Sequence, residues 1–307
     1  MDDISRMLHM ARLQATLDKR CLLGDSTTMV VQPGAEREVP FHVLLEGECQ
    51  FEVDGRLFRM VAGDVIVLPA AVRHRIITAG AAPGRGTVEA TGSTFTRTSS
   101  AGGGPAVIDL FCGHYRVAPG AGAILFGSLP TPVHVSLFDS EDGRSVLLQL
   151  SALMRAEADH DGAGSAAIMS ALCTVLIALV LRTSSSSGAH HQLWTAAADA
   201  QVGDVIRRVL SSPGQGWSIA GLARESAMSR ATFIRRFHAA TEMTFGQFLV
   251  RTRLMCAADL LAGTDRTVSS ISAEVGYRSE SAFTRAFREA LGATPARFRR
   301  EQKVQSL

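Results

Sequence analysis

Two cysteines are the residues of this 307-residue sequence with the clearest capacity for chemistry. Cys21 directly follows Lys19 and Arg20, and two neighbouring cations would favour the reactive thiolate form. Cys112 is followed two residues later by His114, whose imidazole can exchange a proton near neutral pH. Inert packing is the ordinary alternative for any single cysteine, so the sequence offers these two as candidates for redox chemistry.

The other three cysteines are expected to be packing residues. Cys173 and Cys256 fall on the apolar faces of predicted helices, and Cys49 falls on the core face of a predicted strand. No two cysteines form a CxxC pair, which argues against a structural zinc site and a disulfide scaffold. This cysteine usage is typical of a protein of the reducing cytoplasm.

A second chemistry, binding to nucleic acid, is indicated by two helical hairpins in the C-terminal third. Their sequences are SIAGLARESAMSRATFIRRFHAAT and TVSSISAEVGYRSESAFTRAFREALG. The second helix of each carries two phenylalanines four positions apart, which places both on the face that packs against the domain. The opposite face is polar and basic, with Arg230, Thr232, Arg235 and Arg236 in the first copy and Ser281, Thr284, Arg285 and Arg288 in the second. Such a helix fits the major groove of DNA, and two matched copies argue against an ordinary helical bundle.

The charge distribution supports this interpretation. From Asp199 onward the chain has 16 basic and 10 acidic residues, a net charge of +6, whereas the preceding residues have a net charge of −4. Lysine occurs only at positions 19 and 303, and arginine favours bidentate contacts with phosphate and guanine. A GC-rich genome would also explain the excess of arginine over lysine, but not the asymmetry in sign, which indicates a polyanionic partner for one half.

The elements that must position Cys21 and Cys112 have a different periodicity. Residues 1–24 predict a short helix and a turn, and residues 30–77 predict short strands with a hairpin at Asp54-Gly55. Strands at this spacing without intervening helices are typical of an antiparallel barrel or jelly roll. Residues 79–105 are rich in Gly, Ala, Ser and Thr and predict a long surface loop, which precedes a further strand.

Two apolar helices, predicted at 145–154 and 166–181, connect the halves, and their apolar faces are candidates either for a dimer surface or for closing the barrel. No uninterrupted apolar run reaches the roughly 18 residues that a membrane span needs, so no membrane partner is expected. The stretch TSSSSGAHH then predicts a flexible linker. We therefore predict a sensor domain with connector helices over 1–182, a linker over 183–197 and a DNA-binding domain over 198–303.

About 100 C-terminal residues resemble the AraC/XylS family of bacterial regulators. The resemblance lies in GYRSESAFTRAFR, which begins at Gly276, and in GATPARFR, which begins at Gly292. It implies two recognition helices in successive segments of the major groove. The family's contact positions correspond to Arg230, Ala231, Thr232 and Arg235 in the first helix, beside which Arg236 is a further candidate, and to Glu280, Ser281, Thr284 and Arg285 in the second.

The two helices are expected to differ in what they read. Because Ala231 and Ile234 are small or apolar, the first helix is expected to contact thymine methyl groups or mostly phosphate. Glu280 of the second helix could accept a hydrogen bond from a cytosine amino group or cap the N-terminus of its own helix.

The N-terminal half resembles the cupin-type sensor domains of the same family. The segments LLEG at 44–47, VDG at 53–55 and AGDVIVLP at 62–69 carry this resemblance. Enzymatic cupins hold a metal through several histidines and a glutamate, and His42 and His74 lie in the corresponding regions. The HxH pair of those cupins is missing, and an open metal site normally needs a third firm ligand. The two histidines are therefore candidates for a metal site, for lining the barrel or for binding a small organic effector.

Two short segments resemble the cupin-type regulators of this family that sense reactive chlorine. They are DKRC, ending at Cys21, and FCG, centred on Cys112. In that subgroup a cysteine pair at these two places is the redox switch, so the resemblance implies this role for Cys21 and Cys112. The long predicted loop at 79–105 departs from the pattern of the subgroup.

The combined prediction is an α+β protein with an N-terminal cupin-like antiparallel β-barrel, a helical connector and an all-α double helix-turn-helix domain. We expect a cytoplasmic transcription regulator, not an enzyme, that binds double-stranded promoter DNA and forms a homodimer. It would contact RNA polymerase if it is an activator. A small ligand or an oxidant would shift the population of conformations that bind DNA. Two alternatives stay open, a cupin metalloenzyme fused to a DNA-binding domain and a signal-independent DNA-binding protein whose barrel only dimerises.

Overall fold

The computed structural model describes residues 3–11, 13–35, 37–69, 72–80, 84–117, 126, 129, 131–139, 141–186, 200–241 and 243–305. The chain divides into two units. The barrel unit comprises Leu13–Val117 and Pro130–Thr183, and the helical unit comprises Met1–Arg12, Ala118–Leu129 and Ser184–Leu307. Helix α1 (Asp3–Ala11) thus belongs to the helical unit, although the predicted sensor domain began at residue 1.

The described part of the barrel unit contains eleven strands in two sheets. They are β1 (Gln14–Leu23), β2 (Thr28–Val31), β3 (Glu38–Glu46), β4 (Glu48–Val53), β5 (Arg56–Val61), β6 (Asp64–Val67), β7 (His74–Ile77), β8 (Thr87–Thr91), β9 (Thr96–Ser100), β10 (Ile108–Arg116) and β11 (Val133–Ser136). The larger sheet has the strand order β11-β6-β3-β10-β1-β9-β8, and the smaller has the order β2-β7-β4-β5. The predicted cupin-like barrel is confirmed.

The local sequence explains the β4–β5 hairpin. Asp54 and Gly55 have φ angles of 49° and 72°, the left-handed geometry that a tight two-residue turn needs. Along β4, Cys49, Phe51 and Val53 are buried and alternate with more exposed polar residues, as predicted.

The interior of the barrel unit is filled with packed side chains from both sheets. This cluster contains Cys21, Leu23, Met29, Leu44, Cys49, Phe51, Val53, Met60, Ile66, Leu68, Ile76, Ile108, Leu110 and Cys112. Both candidate redox cysteines therefore lie in the hydrophobic core, where close packing restricts access and movement.

Two segments of the barrel unit differ from the prediction. The predicted loop at 79–105 contains the β8–β9 hairpin, and β9 pairs with β1 in parallel, with Thr98 opposite Cys21. The many threonines of the segment 79–105 favour strands. The prediction missed them because β8 is mostly exposed and lacks the apolar alternation of a half-buried strand. The predicted turn before residue 24 is wrong as well, because Gln14–Leu23 forms β1, whose alternation is interrupted by a register shift between Leu17 and Lys19.

Two long helices follow the strands, α2 (Glu141–His160) and α3 (Ser165–Ser186), and both extend beyond their predicted bounds. Ser165–Thr183 is long and apolar enough to cross a membrane by length and composition, which the sequence reading did not expect. In this structure Cys173, Leu176 and Leu181 are buried, and the Tyr115 hydroxyl donates to the Cys173 carbonyl at 2.9 Å. These contacts pack one face of α3 against the barrel unit.

The helical unit continues with seven helices after the linker. They are α4 (Ala200–Ser211), α5 (Ile219–Glu225), α6 (Arg230–Thr241), α7 (Phe245–Gly263), α8 (Val268–Glu274), α9 (Glu280–Leu291) and α10 (Pro295–Gln305). Thr244 begins α7 with a capping box, and Gly292 ends α9 in the left-handed conformation at φ 71°. Of the predicted linker, 183–186 belongs to α3, and 187–197 lies outside the described residues.

Candidate DNA-binding surface and thiol site

The two helix-turn-helix motifs, α5–α6 and α8–α9, share one turn geometry. The Met228 N–H donates to the Ala223 carbonyl at 2.8 Å, and the Tyr277 N–H donates to the Ser272 carbonyl at 2.9 Å. Ala223 and Ser272 are both buried where the helices cross, with exposures of 1% and 3%. At the second crossing the small buried residue is Ser272, whereas the neighbouring Ala273 is exposed.

Helix α6 presents the predicted polar face of the first motif. Phe233 and Phe237 are buried, whereas Arg230, Ala231, Ile234 and Arg235 are exposed. The Ser229 hydroxyl accepts from the Thr232 N–H at 3.1 Å, so Ser229 is the N-cap of α6.

Two of the proposed reading residues of the first motif are held by other side chains. The Thr232 hydroxyl lies 2.8 Å from the Ser229 hydroxyl. Arg236 is half-buried and donates to the Gln201 side chain of α4 at 2.6 Å. This contact directs Arg236 towards the body of the domain. It therefore favours a role for Arg236 in positioning α6 over a role in reading bases.

Helix α9 presents the second polar face. Phe283 and Phe287 are fully buried, as predicted. Among the proposed reading residues, Glu280, Ser281 and Arg285 are exposed and Thr284 is half-buried.

The N-terminus of α9 is capped by the residue that precedes Glu280. The Ser279 side chain accepts from the Ala282 N–H at 3.3 Å and is the N-cap. Glu280 is instead the first helical residue, where its charge is favourable towards the helix dipole. The exposed carboxylate thus has no capping bond that would compete with a base contact.

The exposed arginines on these faces are available to a polyanion. Within the described part of the helical unit, Arg230, Arg235 and Arg285 take part in no ion pair. In contrast, Arg208 on α4 pairs with Glu225 at 2.5 Å. Unpaired guanidinium groups beside a buried aromatic stripe are what phosphate and base contacts require.

The structure brings Cys21 and Cys112 together, although 91 positions separate them in the sequence. They lie on the adjacent antiparallel strands β1 and β10 as diagonal neighbours, since Cys21 is opposite Leu110 and Cys112 is opposite Lys19. Their Sγ atoms are 3.7 Å apart, and the exposed fractions are 0% for Cys21 and 6% for Cys112. The inserted β8–β9 hairpin does not separate them.

The imidazole that contacts Cys112 is that of His42. The sequence had suggested His114, which lies only two residues from Cys112. His42 lies opposite Cys112 on β3, with its Nδ1 3.1 Å from the Cys112 Sγ. Its Nε2 lies 2.7 Å from the Nε2 of His74, and the Nδ1 of His74 lies 2.8 Å from the Val72 carbonyl. Thiol and imidazoles thus form one continuous chain of hydrogen bonds.

The electrostatics keep this chain neutral. Burial lowers the pKa of His42 well below its ordinary value, and the nearby His74 lowers it further. Burial also lowers the pKa of His74. The contact with the Cys21 thiol, together with burial, raises the pKa of the Cys112 thiol well above its usual range. Near pH 7 the site therefore holds a neutral thiol and neutral imidazoles.

The cations expected beside Cys21 are committed to other partners. Lys19 pairs with Glu89, and Arg20 pairs with Asp109 at 3.2 Å and with Asp159 of α2 at 2.8 Å. The prediction that both cations activate Cys21 is therefore not supported by the structure.

His114, the imidazole expected beside Cys112, is also paired elsewhere. Its Nδ1 lies 2.8 Å from an Asp18 carboxylate oxygen. The hydrogen bond with Asp18 raises the pKa of His114.

The proposed metal site gains no support. Among the residues that the structure describes, no three His, Cys, Asp or Glu side chains are grouped to hold a metal ion. His42 and His74 direct their Nε2 atoms at each other, so their assignment as metal ligands stays a prediction.

The remaining cysteines are held as thiols. Cys49 and Cys173 are buried, and burial raises the pKa of each to about 12. Cys256 is half-buried, and burial raises its pKa to about 11.

An ion-pair network behind Cys21 was missed by sequence reasoning. Asp109 on β10 is 5% exposed and accepts from Arg20 of β1 and, at 2.7 Å, from the Arg155 Nε of α2. The network links the cysteine strands to the connector helix. The only signal in the sequence was an aspartate within an otherwise apolar strand, IDLFC.

Comparison with known proteins agrees with this architecture. A family model described as a cupin matches residues 2–185, and one described as a helix-turn-helix domain matches residues 222–301. A putative AraC-like transcription regulator of Streptomyces lividans is 30% identical over 98% of both chains. An uncharacterised HTH-type transcriptional regulator of Haemophilus influenzae is 28% identical over 98% of this chain and 99% of its own.

A third relative is the RCS-specific HTH-type transcriptional activator RclR of Escherichia coli K12, 26% identical over 97% of both chains. These relatives are named as regulators and not as enzymes, which decides against the metalloenzyme alternative. The chain therefore belongs to the AraC-like transcription regulators and joins an N-terminal cupin domain to a C-terminal helix-turn-helix domain that binds DNA.

Proposed function

We propose that this regulator senses an oxidant by forming a disulfide between Cys21 and Cys112, and that the disulfide changes its binding to promoter DNA. The observation that carries the proposal is the 3.7 Å separation of the two Sγ atoms on adjacent strands. One relative is named as an RCS-specific activator, which favours an oxidant over a small ligand as the signal. The packed interior of the barrel unit favours it as well.

The chemistry balances for a hypohalous acid such as hypochlorous acid. One thiol attacks the halogen, which forms an S–Cl bond and releases water. The second thiol then attacks that sulfur, so that an S–S bond forms, chloride leaves and a proton is released. The two sulfurs lose two electrons in total, and hypochlorous acid is reduced to chloride and water.

The disulfide would change the geometry of β1. A disulfide has an S–S distance of about 2.05 Å, so the sulfurs must approach each other by roughly 1.7 Å from their present separation. Diagonal neighbours on adjacent strands are typically more widely spaced at Cα than a relaxed disulfide permits. The register shift between Leu17 and Lys19, two to four residues before Cys21, is the place where β1 can adjust.

Two connections could carry this movement of β1 away from the sulfurs. Arg20, the neighbour of Cys21, pairs with Asp159 of α2 and shares Asp109 with Arg155 of α2. In the other direction along the chain, β1 follows α1, and Arg6 of α1 donates to the Leu210 carbonyl at 3.1 Å within the helical unit. A shift of β1 therefore acts on elements on both of its sides.

The DNA contacts form the second part of the proposal. Sequence reading is assigned to the exposed faces of α6 and α9, with Arg230, Ala231, Thr232 and Arg235 on the first and Glu280, Ser281, Thr284 and Arg285 on the second. Arg236 is assigned to positioning α6, because it donates to Gln201. We further propose that the protein acts in the cytoplasm as a homodimer. Where it activates transcription, it contacts RNA polymerase.

The test measures binding to the DNA upstream of the protein's own gene before and after treatment with hypochlorous acid. Cys21→Ala and Cys112→Ala are compared with the wild type and with Cys49→Ala, a matched control in the same buried cluster. We expect the wild type and the control to form the disulfide, detected by intact mass, and to change their affinity. The two test variants should do neither. An affinity change of equal size in all four proteins contradicts the redox proposal, and no change in any of them favours a signal-independent regulator.

A further inference from the structure

We propose that His42 accepts the proton of the Cys112 thiol during oxidation and that His74 positions His42 for this task. The inference rests on the redox function proposed above and assigns a catalytic residue and a positioning residue to its first step. It is carried by the direction of the hydrogen bonds that connect the two histidines to Cys112.

The direction of these bonds follows from a single backbone contact. The His74 Nδ1 lies 2.8 Å from the Val72 carbonyl, which can only accept, so the proton of the neutral His74 ring is on Nδ1. Its Nε2 is therefore an acceptor. The facing His42 Nε2, at 2.7 Å, must then donate, which leaves the Nδ1 of the neutral His42 ring as an acceptor.

This acceptor points at a sulfur. The Cys112 Sγ lies 3.1 Å from the His42 Nδ1, so the thiol is the donor of that hydrogen bond. Cys21 approaches the same sulfur from β1 and also lies 3.6 Å from the Met29 Sδ. The structure thus places a base on one side of Cys112 and its disulfide partner on the other.

A base is needed because the site suppresses the thiolate. Cys21 and burial raise the pKa of Cys112, and thiolates are the nucleophilic form of cysteine. The charged groups that act on Cys112 from β1 oppose each other, since Lys19 lowers the pKa and Asp18 raises it. Both histidines are only 2% exposed, so the proton acceptor next to Cys112 is an imidazole of the protein and not bulk water.

The first step proceeds as follows. The Cys112 sulfur attacks the chlorine of hypochlorous acid while its proton moves to the His42 Nδ1, so that the S–H and O–Cl bonds break and the S–Cl bond forms. The hydroxide that leaves takes the proton back from His42 and becomes water. Cys21 then attacks the Cys112 sulfur, an S–S bond forms, chloride leaves, and the Cys21 proton is released to solvent. Cys112 reacts first because it has the base and the larger exposure.

The test measures how fast the disulfide forms in the full-length protein. The oxidant is N-chlorotaurine, which transfers chlorine as hypochlorous acid does but leaves taurine in place of water. His42→Asn keeps a hydrogen-bond acceptor near the Nδ1 position but cannot take up the proton, and His74→Asn keeps a donor towards Val72 but loses the acceptor for His42. His134→Asn is the matched control, because His134 is a partly buried histidine of the same unit that pairs with Asp64 at 3.0 Å.

We expect His42→Asn to slow disulfide formation by about 100-fold or more, the usual contribution of a general base. His74→Asn should show a smaller loss, and His134→Asn should react like the wild type. A second measurement separates proton transfer from a structural role. As the pH is raised from about 7 to 9, hydroxide replaces the missing base, so the rates of the His42 and His74 variants should approach that of the wild type.

Several outcomes would overturn the inference. A folded His42→Asn that reacts as fast as the wild type refutes it, and so does a slow variant whose deficit persists at high pH. If neither His42→Asn nor His42→Gln folds, an unchanged rate in His74→Asn refutes it. If the wild type itself forms no disulfide, the proposed redox function fails and this inference fails with it. If the wild type forms the disulfide and the His42 and His74 variants form it at the same rate, only the proposed roles of the two histidines are overturned.

Discussion

The turns of the two helix-turn-helix motifs provide a matched pair of substitutions. Ala227 and Gly276 occupy the same place in the two turns, and both have a positive φ, 53° and 89°. A residue with a Cβ is disfavoured in this region of the backbone, whereas glycine is not. We therefore expect Ala227→Gly to stabilise the helical unit and Gly276→Ala to destabilise it.

The structure sets different magnitudes for the two changes. At Ala227 the release of about 1–2 kcal/mol of left-handed strain is opposed by the extra chain entropy of glycine, about 0.5–1 kcal/mol, which leaves a gain of about 0.5–1 kcal/mol. Gly276→Ala lowers the free energy of unfolding by a similar amount through backbone strain. In addition, the added Cβ would lie 2.6 Å from the Arg253 Nη2 and 2.9 Å from the Gly214 carbonyl oxygen. Displacing Arg253 weakens its 2.9 Å bond to the Pro213 carbonyl, so the total loss is about 2–3 kcal/mol.

The assay is urea unfolding followed by the fluorescence of Trp217 in a Trp194→Phe background, which reports on the helical unit alone. Gly216→Ala is the control, because its φ is not positive and no atom lies within 4 Å of the added Cβ. It should change the stability by less than about 1 kcal/mol. A Gly276→Ala protein as stable as this control, or an Ala227→Gly protein less stable than the wild type, would show that the two turns do not share one left-handed geometry.

Three further predictions concern DNA binding, pH and signal transfer. Arg235→Ala and Arg285→Ala should each weaken promoter binding and reduce the slope of log affinity against log salt by about one unit, whereas Arg207→Ala on α4 should not; an unchanged slope in both would refute their placement on the DNA. The raised pKa of His114 means that its pair with Asp18 contributes stability fully below the unfolded pKa of about 6.5 and loses it as the pH rises through the higher folded value. His114→Gln should therefore destabilise the barrel unit at pH near 5.5 more than near 8.5 in urea unfolding, and an equal loss at both would contradict this sign. Asp109→Ala leaves Arg20 and Arg155 without their shared carboxylate and should cost about 3 kcal/mol. Its oxidised form should carry the disulfide but lose the change in promoter affinity, and a normal affinity change would exclude this network from signal transfer.

The sequence predicted the helical unit more accurately than the barrel unit, and the reason is the range of the interactions involved. The two helical hairpins predicted at 218–241 and 267–292 correspond to α5–α6 and α8–α9 of the structure. Their boundaries are set by neighbours in the sequence, such as Ser229 and Ser279 as N-caps and Gly292 as C-cap. Each of these signals can be recognised within a few residues.

The barrel unit depends on partners that are distant in the chain. Strand β9 pairs with β1 across more than 70 residues, and nothing in its polar, threonine-rich sequence identifies that partner. For the same reason His114, two residues from Cys112, was the expected imidazole, whereas the structure places His42 of β3 there. Side chains two apart on a strand share a face, but the contacts of each are decided by the register of the neighbouring strands.

The position of the thiols in the core links the two parts of the proposed mechanism. An exposed cysteine pair could form a disulfide without disturbing the fold, but Cys21 and Cys112 lie where packing leaves little free space. Bringing their sulfurs together must therefore move β1 or β10, and both strands contribute to the ion pairs of Asp109 with Arg20 and Arg155. The same burial raises the pKa of Cys112 and so makes a neighbouring base necessary. In the proposed mechanism, burial therefore accounts both for the role of His42 in oxidation and for the effect of oxidation on the connector helix.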